Sequence, residues 1–230
     1  MPELASPERV ETLSDQVYAE LRKAVLAGAF VPGQRMTIRG LAAEMKVSAT
    51  PAREALNRLV AEGGLEYGPG KTVRVPAITA AKLDEIYLVR VPLEGTAAEL
   101  GAARLGSRGI AKLEAFVERH AAALDRGDFR ASLRENQGFH FTLYGAAERP
   151  LLMQVVEAMW LRIGPMMHLL YPTFEANRSG LRNHLAAIEA VRAGDGAALR
   201  RIVEKDLLEG RATMLRALAG QAPGNLGDAA

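Results

Sequence analysis

The chain has 230 residues, 49% hydrophobic and 24% charged, with a formal net charge of +2. That length suits two modest domains with cores of their own, and the composition is that of an ordinary soluble protein rather than a disordered or fibrous one. With no cysteine, disulfides and thiolate chemistry are excluded, and no apolar run reaches the length of a membrane span or a secretory h-region, so a cytoplasmic location is expected.

Residues 1–11 read as a flexible arm. From Thr12 to Ala27, Val17, Leu21 and Val25 recur at spacings of four, the apolar stripe of a helix that Gly28 ends. Ile38, Leu41, Ala42 and Met45 fall at i, i+3, i+4 and i+7, the stripe of a two-turn helix, and Val47 plugs the turn that follows. Ser48 is a natural N-cap whose hydroxyl can accept from an amide two or three residues on, and Pro51 falls in the first turn, where a missing N–H costs little. The helix that starts near Ala49 turns Ala52, Ala55, Leu56, Leu59 and Val60 inward. Thr50, Arg53, Asn57 and Arg58 are left outside, where they reach phosphates and base edges. Gly63-Gly64 stops it, and Leu65–Tyr67 and Lys71–Val75 read as two strands around Gly68-Pro69-Gly70, with Lys71 and Arg74 on the resulting wing. The order is a winged helix-turn-helix over residues 12–77, three helices plus a β-hairpin wing, and double-stranded DNA is its first candidate partner. Residues 34–75 hold seven Lys/Arg against four Asp/Glu, a surplus of three, which is slight for one module and points to two copies acting together on phosphates.

After Thr79 the strand signals stop. Residues 78–219 read as an all-helical bundle of about six helices: Thr79–Leu105 with Pro92 kinking it, Ser107–Arg126, Asp128–Ala147, Pro150–Tyr171 interrupted at Pro165, Thr173–Ala193 and Asp195–Leu218. No fixed period recurs, so a bundle is preferred to a solenoid, and residues 220–230 read as a frayed tail. The overall class is mainly α.

Four histidines are present, His120, His140, His168 and His184. His140 lies one helical turn after Asn136 on the same face. His184 and Asp206 stand 22 residues apart on successive helices joined by the Gly194-Asp195-Gly196 turn, so both can point inward at similar depth. Asn136, His140, His184 and Asp206 therefore form a candidate ligand set; the bland alternative is that the histidines are hydrogen-bonded groups in a metal-free pocket. His168 is either a further pocket donor or a satisfied core residue. His120, beside Glu118 and Arg119, is expected on a solvated face. Arg90 and Glu94, one turn apart, form a bracing ion pair, or Arg90 faces an anionic ligand, as Arg130, Arg134 and Arg162 also can.

Two resemblances carry these readings further. Gly28 with Pro32-Gly33, Leu41-Ala42, and the run Val47-Ser48-Ala49-Thr50-Pro51-Ala52-Arg53-Glu54-Ala55-Leu56 resemble the winged-helix domain of the GntR family of bacterial transcription regulators. The resemblance implies that Arg39, Ser48, Arg53 and the wing-tip Gly70 contact DNA, joined by Thr50 and Lys71. Ala49 departs from it, since the family usually has arginine there, and a phosphate or guanine contact is lost. The helical half is similar to the FCD effector domain of the FadR subfamily, whose Asp, Phe-His, His and His ligand positions fall on Asn136, His140, His184 and Asp206. The resemblance implies a divalent cation (Zn, Ni, Mn or Fe), with two imidazoles and one carboxylate retained. It also implies a small organic acid as effector, met by Arg90, Arg134, Arg162 and His168, and a homodimer acting as a repressor. The rival readings are a DNA-binding architectural protein with a vestigial pocket and a metal-dependent enzyme, the latter lacking a placed nucleophile or general base.

Overall fold

The computed structural model describes residues 12–170 and 178–220, apart from the side chains of Lys71 and His168. The arm at 1–11, Thr173 and the tail from 221 onward lie outside these residues. The described chain is mainly helical, with one small antiparallel sheet.

Helix α1 (Leu13–Leu26) opens with a capping box, in which Thr12 accepts from the Asp15 amide and Asp15 reaches back to the Thr12 amide. Helices α2 (Ile38–Glu44) and α3 (Ala49–Glu62) follow, with Val17, Leu21, Val25, Leu41, Ala52, Ala55, Leu56 and Leu59 buried between the three. Ser48 occupies the N-cap position of α3 but makes no side-chain cap bond, contrary to the reading of its hydroxyl. At the other end Gly63 adopts the left-handed conformation that closes a helix, φ 79°. The wing consists of β2 (Glu66–Tyr67) and β3 (Val73–Arg74) around Gly70 (φ 68°). A third strand that the sequence did not announce, β1 (Arg35–Met36), pairs with β3 to give the order β1-β3-β2.

Six helices make the second half among the described residues: α4 (Ala80–Ala102), α5 (Gly106–Asp125), α6 (Phe129–Gly145), α7 (Pro150–Ile163), α8 (Ser179–Arg192) and α9 (Gly196–Gly220). Thr79 and Asp128 cap α4 and α6 through their side chains. Ser107 does not cap α5, which already starts at Gly106. The helix begun at Pro150 ends at Ile163, and Pro165 sits in a 3-10 segment, Gly164–Leu170, that continues it. No described helix is long and apolar enough to cross a membrane.

The two halves meet along α7. Arg22 on α1 is 2.8 Å from Glu157 on α7 and 3.6 Å from Glu62 at the end of α3. Gly63 and Gly64 abut Arg162 and Leu161 so closely that a Cβ on either would collide with those side chains. Likewise a Cβ on Gly164 would collide with the Val25 carbonyl of α1.

Candidate functional site

The bundle core holds a ring of polar groups. His140 on α6, His184 on α8 and Asp206 on α9 each offer a ligand atom, and these atoms lie within 4.8 Å of one another. His140 Nε2 is 3.4 Å from both His184 Nε2 and Asp206 Oδ2. On its far side His140 Nδ1 lies 2.9 Å from the Tyr144 hydroxyl, which can donate or accept and so satisfies either tautomer. Asp206 Oδ1 accepts from Asn183 Nδ2 at 2.9 Å; the same amide donates to Glu209 at 2.8 Å, and its oxygen accepts from Lys205 at 2.8 Å.

Burial and neighbouring groups shift Asp206, His184 and His120. Burial pushes the Asp206 carboxyl up, but the hydrogen bond from His140, the His184 ring and the hydrogen bond from Asn183 outweigh it and hold the group at about 2. Burial pulls His184 well below the usual imidazole range and His120 down to about 4. Two imidazoles and an anionic carboxylate are a donor set for a divalent cation, and the residues fit one. The buried His184 Nδ1 has no hydrogen-bond partner among the described residues. When Nε2 ligates, the ring proton sits on this Nδ1.

Asn136 lines the same cavity, together with Tyr87, Arg90, Trp160, Met167 and Leu170; its volume is about 30 Å³. That holds an ion or a water, not an organic acid. Arg90 and Glu94 form the bracing pair. Nε donates to Oε1 at 2.6 Å, Nη2 to Oε2 at 3.4 Å, and the Trp160 indole donates to Oε2 at 2.9 Å. The Arg90 guanidinium also lies 4.8 Å and 4.9 Å from the Tyr87 and Trp160 ring centres.

Other expected ligand contacts are placed elsewhere. Arg134 is exposed in a cleft of about 650 Å³ between α1, α6 and α7. Arg162 lies against Gly63, because the end of α7 turns it toward the N-terminal half, and it lines a separate recess with Lys82 and Glu85. Among the described residues, neither lines the cavity that holds His140. The side chain of His168 lies outside the described residues. His120 is corrected outright: it is 1% exposed, not solvated. The signal was its helical phase, for Leu113, Val117, His120 and Leu124 form one stripe of α5. Tyr144, Trp160 and Asn183 carry no signal in the sequence as parts of the site, since only the packing of their three helices brings them to it.

On the winged half, Arg39, Ser48, Thr50 and Arg53 are exposed. Arg58 is not free for a partner: it pairs with Asp15 at 2.7 Å and stacks 3.7 Å over the Tyr18 ring. Asn57 accepts from the Tyr67 hydroxyl at 2.8 Å, tying α3 to the wing, and Arg74 is paired with Glu66 at 2.7 Å. The side chain of Lys71 lies outside the described residues.

Residues 13–75 match the bacterial regulatory proteins of the gntR family, and residues 85–209 match the FCD domain. The HTH-type transcriptional regulator McbR of Escherichia coli is 33% identical over 174 residues, 76% of this chain and 78% of that protein. The solved structure of E. coli McbR superimposes with a TM-score of 0.83 at 30% identity, covering 89% of this chain and 98% of the other. The HTH-type transcriptional repressor RspR of E. coli is 22% identical over 199 residues, 86% of this chain and 87% of its own length.

Proposed function

The chain belongs to the GntR family of transcription regulators, of the type that carries an FCD domain, and on that premise we propose that it is a repressor whose operator affinity is set by a small carboxylic acid bound at a divalent cation in the helical bundle. The observation that carries the proposal is the course of α7. Trp160 faces His140, with ring centres 5.6 Å apart, and donates to Glu94. The next two residues, Leu161 and Arg162, press on Gly64 and Gly63 at the end of α3, and Gly164 presses on Val25 of α1. A change at the His140 cavity is thus two residues from the DNA-reading half.

His140, His184 and Asp206 would hold the cation, with Asn136 beside them. Once bound, it supplies a Lewis-acidic centre for a carboxylate oxygen. Arg90 stays neutralised by Glu94 and shapes the wall. Because the cavity is only ion-sized, an acid enters by displacing Met167 and Leu170, and these belong to the 3-10 segment that begins at Gly164 against α1. Effector and operator then favour different positions of that segment, which is the differential affinity a population shift requires. Repression is the role of a relative that is named a repressor, and a ligand that relieves it is the direction we propose.

The test is a thermal-shift screen of small organic acids on metal-replete and chelator-treated protein. An acid present at a hundred times its dissociation constant stabilises by about 2.7 kcal/mol. The expected hit vanishes on chelation and releases operator DNA in a gel shift; silence across the screen sinks the proposal.

The repressor acts as a homodimer through the bundle. Leu88 on α4 is 77% exposed and Leu208 on α9 is 47% exposed. With Val91 and Pro92 they line one apolar groove, flanked by the Asp84–Arg211 pair at 2.7 Å. A second copy covers this face and supplies the second winged unit that the slight charge surplus of one unit calls for. Leu88→Asp is expected to convert a dimer to a monomer in sedimentation; a parent that already sediments as a monomer refutes the assignment.

A further inference from the structure

His120 on α5 has no part in the ligand set, yet it is 1% exposed and neither of its ring nitrogens has a hydrogen-bond partner among the described residues. A buried imidazole left unpaired is costly, and a leucine in the same stripe would pack there without that cost. The ring facing it is that of His184, centroid to centroid 5.5 Å and tilted by 52°. His184 is the match, since its Nδ1 is buried without a partner among the described residues while its Nε2 faces His140 Nε2. Phe139 stacks on the His184 ring at 4.0 Å, which fixes the ring plane.

A neutral imidazole has one donor and one acceptor nitrogen. For His184 Nε2 to offer its lone pair, the ring proton must reside on Nδ1, and ligating histidines nearly always give that proton to an acceptor. Asp206 does not fill this role, as it lies on the Nε2 side of the cluster with its Oδ2 toward His140. At a centroid separation of 5.5 Å a nitrogen of His120 can meet His184 Nδ1 through one water or after a small rotation of its ring.

We propose that His120 is a positioning residue: it accepts the Nδ1–H of His184 and so selects the tautomer that leaves Nε2 open toward the cation. The inference rests on the reading of His140, His184 and Asp206 as a cation site, and adds a third imidazole on α5, a helix that supplies none of the ligands.

The experiment measures zinc affinity of the full-length protein by competition with a chromophoric chelator, and metal-free melting, for the parent, His120→Leu and His120→Gln. His120→Leu is expected to bind zinc about 10–100-fold more weakly. Without metal it is expected to melt at or above the parent, since an unpaired buried polar group has been replaced by an apolar one. His120→Gln, whose amide oxygen can accept the same proton, restores affinity to within about threefold of the parent, where loss of an outer partner costs far more. Unchanged affinity in His120→Leu overturns the proposal. If both affinity and metal-free melting fall in His120→Leu, the glutamine variant decides: restored affinity supports positioning, and affinity still lost refutes it. A parent that binds no zinc removes the cation site itself and the proposal with it, an outcome distinct from a parent that binds and a leucine variant that binds equally well.

Discussion

Glu94→Ala is expected to lower the unfolding free energy by about 3–5 kcal/mol, the cost of removing one partner from a buried ion pair. Glu94 is fully buried and Arg90 is 2% exposed. Without the carboxylate, a guanidinium enclosed by the Tyr87 and Trp160 rings keeps its charge but loses its counterion, and the Trp160 indole N–H loses its acceptor. Burial disfavours the charge on Arg90, and it is Glu94 that holds it firmly protonated. Because a domain of this kind has only about 5–15 kcal/mol in total, the variant stands near the threshold of unfolding. Urea denaturation followed by Trp160 fluorescence reads the loss as a lower midpoint, and a loss under about 1 kcal/mol would show that the pair is not desolvated as its burial implies. The double variant Arg90→Met, Glu94→Leu separates charge from shape. It removes both ions and leaves apolar volume, so it recovers most of the stability. Its operator response need not recover with it, because Trp160 has lost the acceptor that orients the last turn of α7 against Gly63 and Gly64.

What the sequence made legible was local. The spacing of Val17, Leu21 and Val25, the Ser48-to-Leu56 run and the glycine stop at Gly63 each encode structure within a few residues, and each element formed within a residue or two of its expected bounds. The His140, His184 and Asp206 convergence was also legible. It needed only a helical turn after Asn136 and a tight turn between two antiparallel helices, both of which fix phase over short distances. Long side chains were another matter. Arg134 and Arg162 sit on helices whose positions were correctly read, but a guanidinium reaches far beyond its Cα, and which neighbour it meets depends on how α7 and α1 cross. The burial of His120 is masked for the opposite reason: its sequence neighbours Glu118 and Arg119 are charged, while its helical phase is that of Leu113, Val117 and Leu124. Strand β1 left no trace because two residues, Arg35 and Met36, are too few to alternate.

Arg53→Ala is expected to weaken operator binding by about 1–3 kcal/mol per half-site, about 5–150-fold, the worth of one bidentate arginine–guanine pair. With two copies on a two-fold operator the losses combine, to about 2–6 kcal/mol. The structure narrows the choice of residue. Of the two arginines on α3, Arg58 is held by Asp15 and Tyr18, whereas Arg53 is exposed and makes no hydrogen bond or ion pair among the described residues. Ser48 and Thr50, one turn or so before it, are exposed as well, and the Ser48 hydroxyl is not consumed by a cap bond. Fluorescence anisotropy with labelled operator at several salt concentrations distinguishes the kind of contact. If Arg53 meets a phosphate, every sequence weakens alike and the salt slope falls by about one per copy; if it meets a base, discrimination at one operator position collapses while the slope is nearly unchanged. Arg58→Ala serves as the contrast, expected to leave affinity within a few-fold of the parent because its charge is already spent on α1. Ala49→Arg tests the neighbouring departure, and a gain in affinity there would mean that the missing contact is still within reach of the helix. An Arg53→Ala protein that binds operator as tightly as the parent would mean that α3 is not the helix that reads DNA.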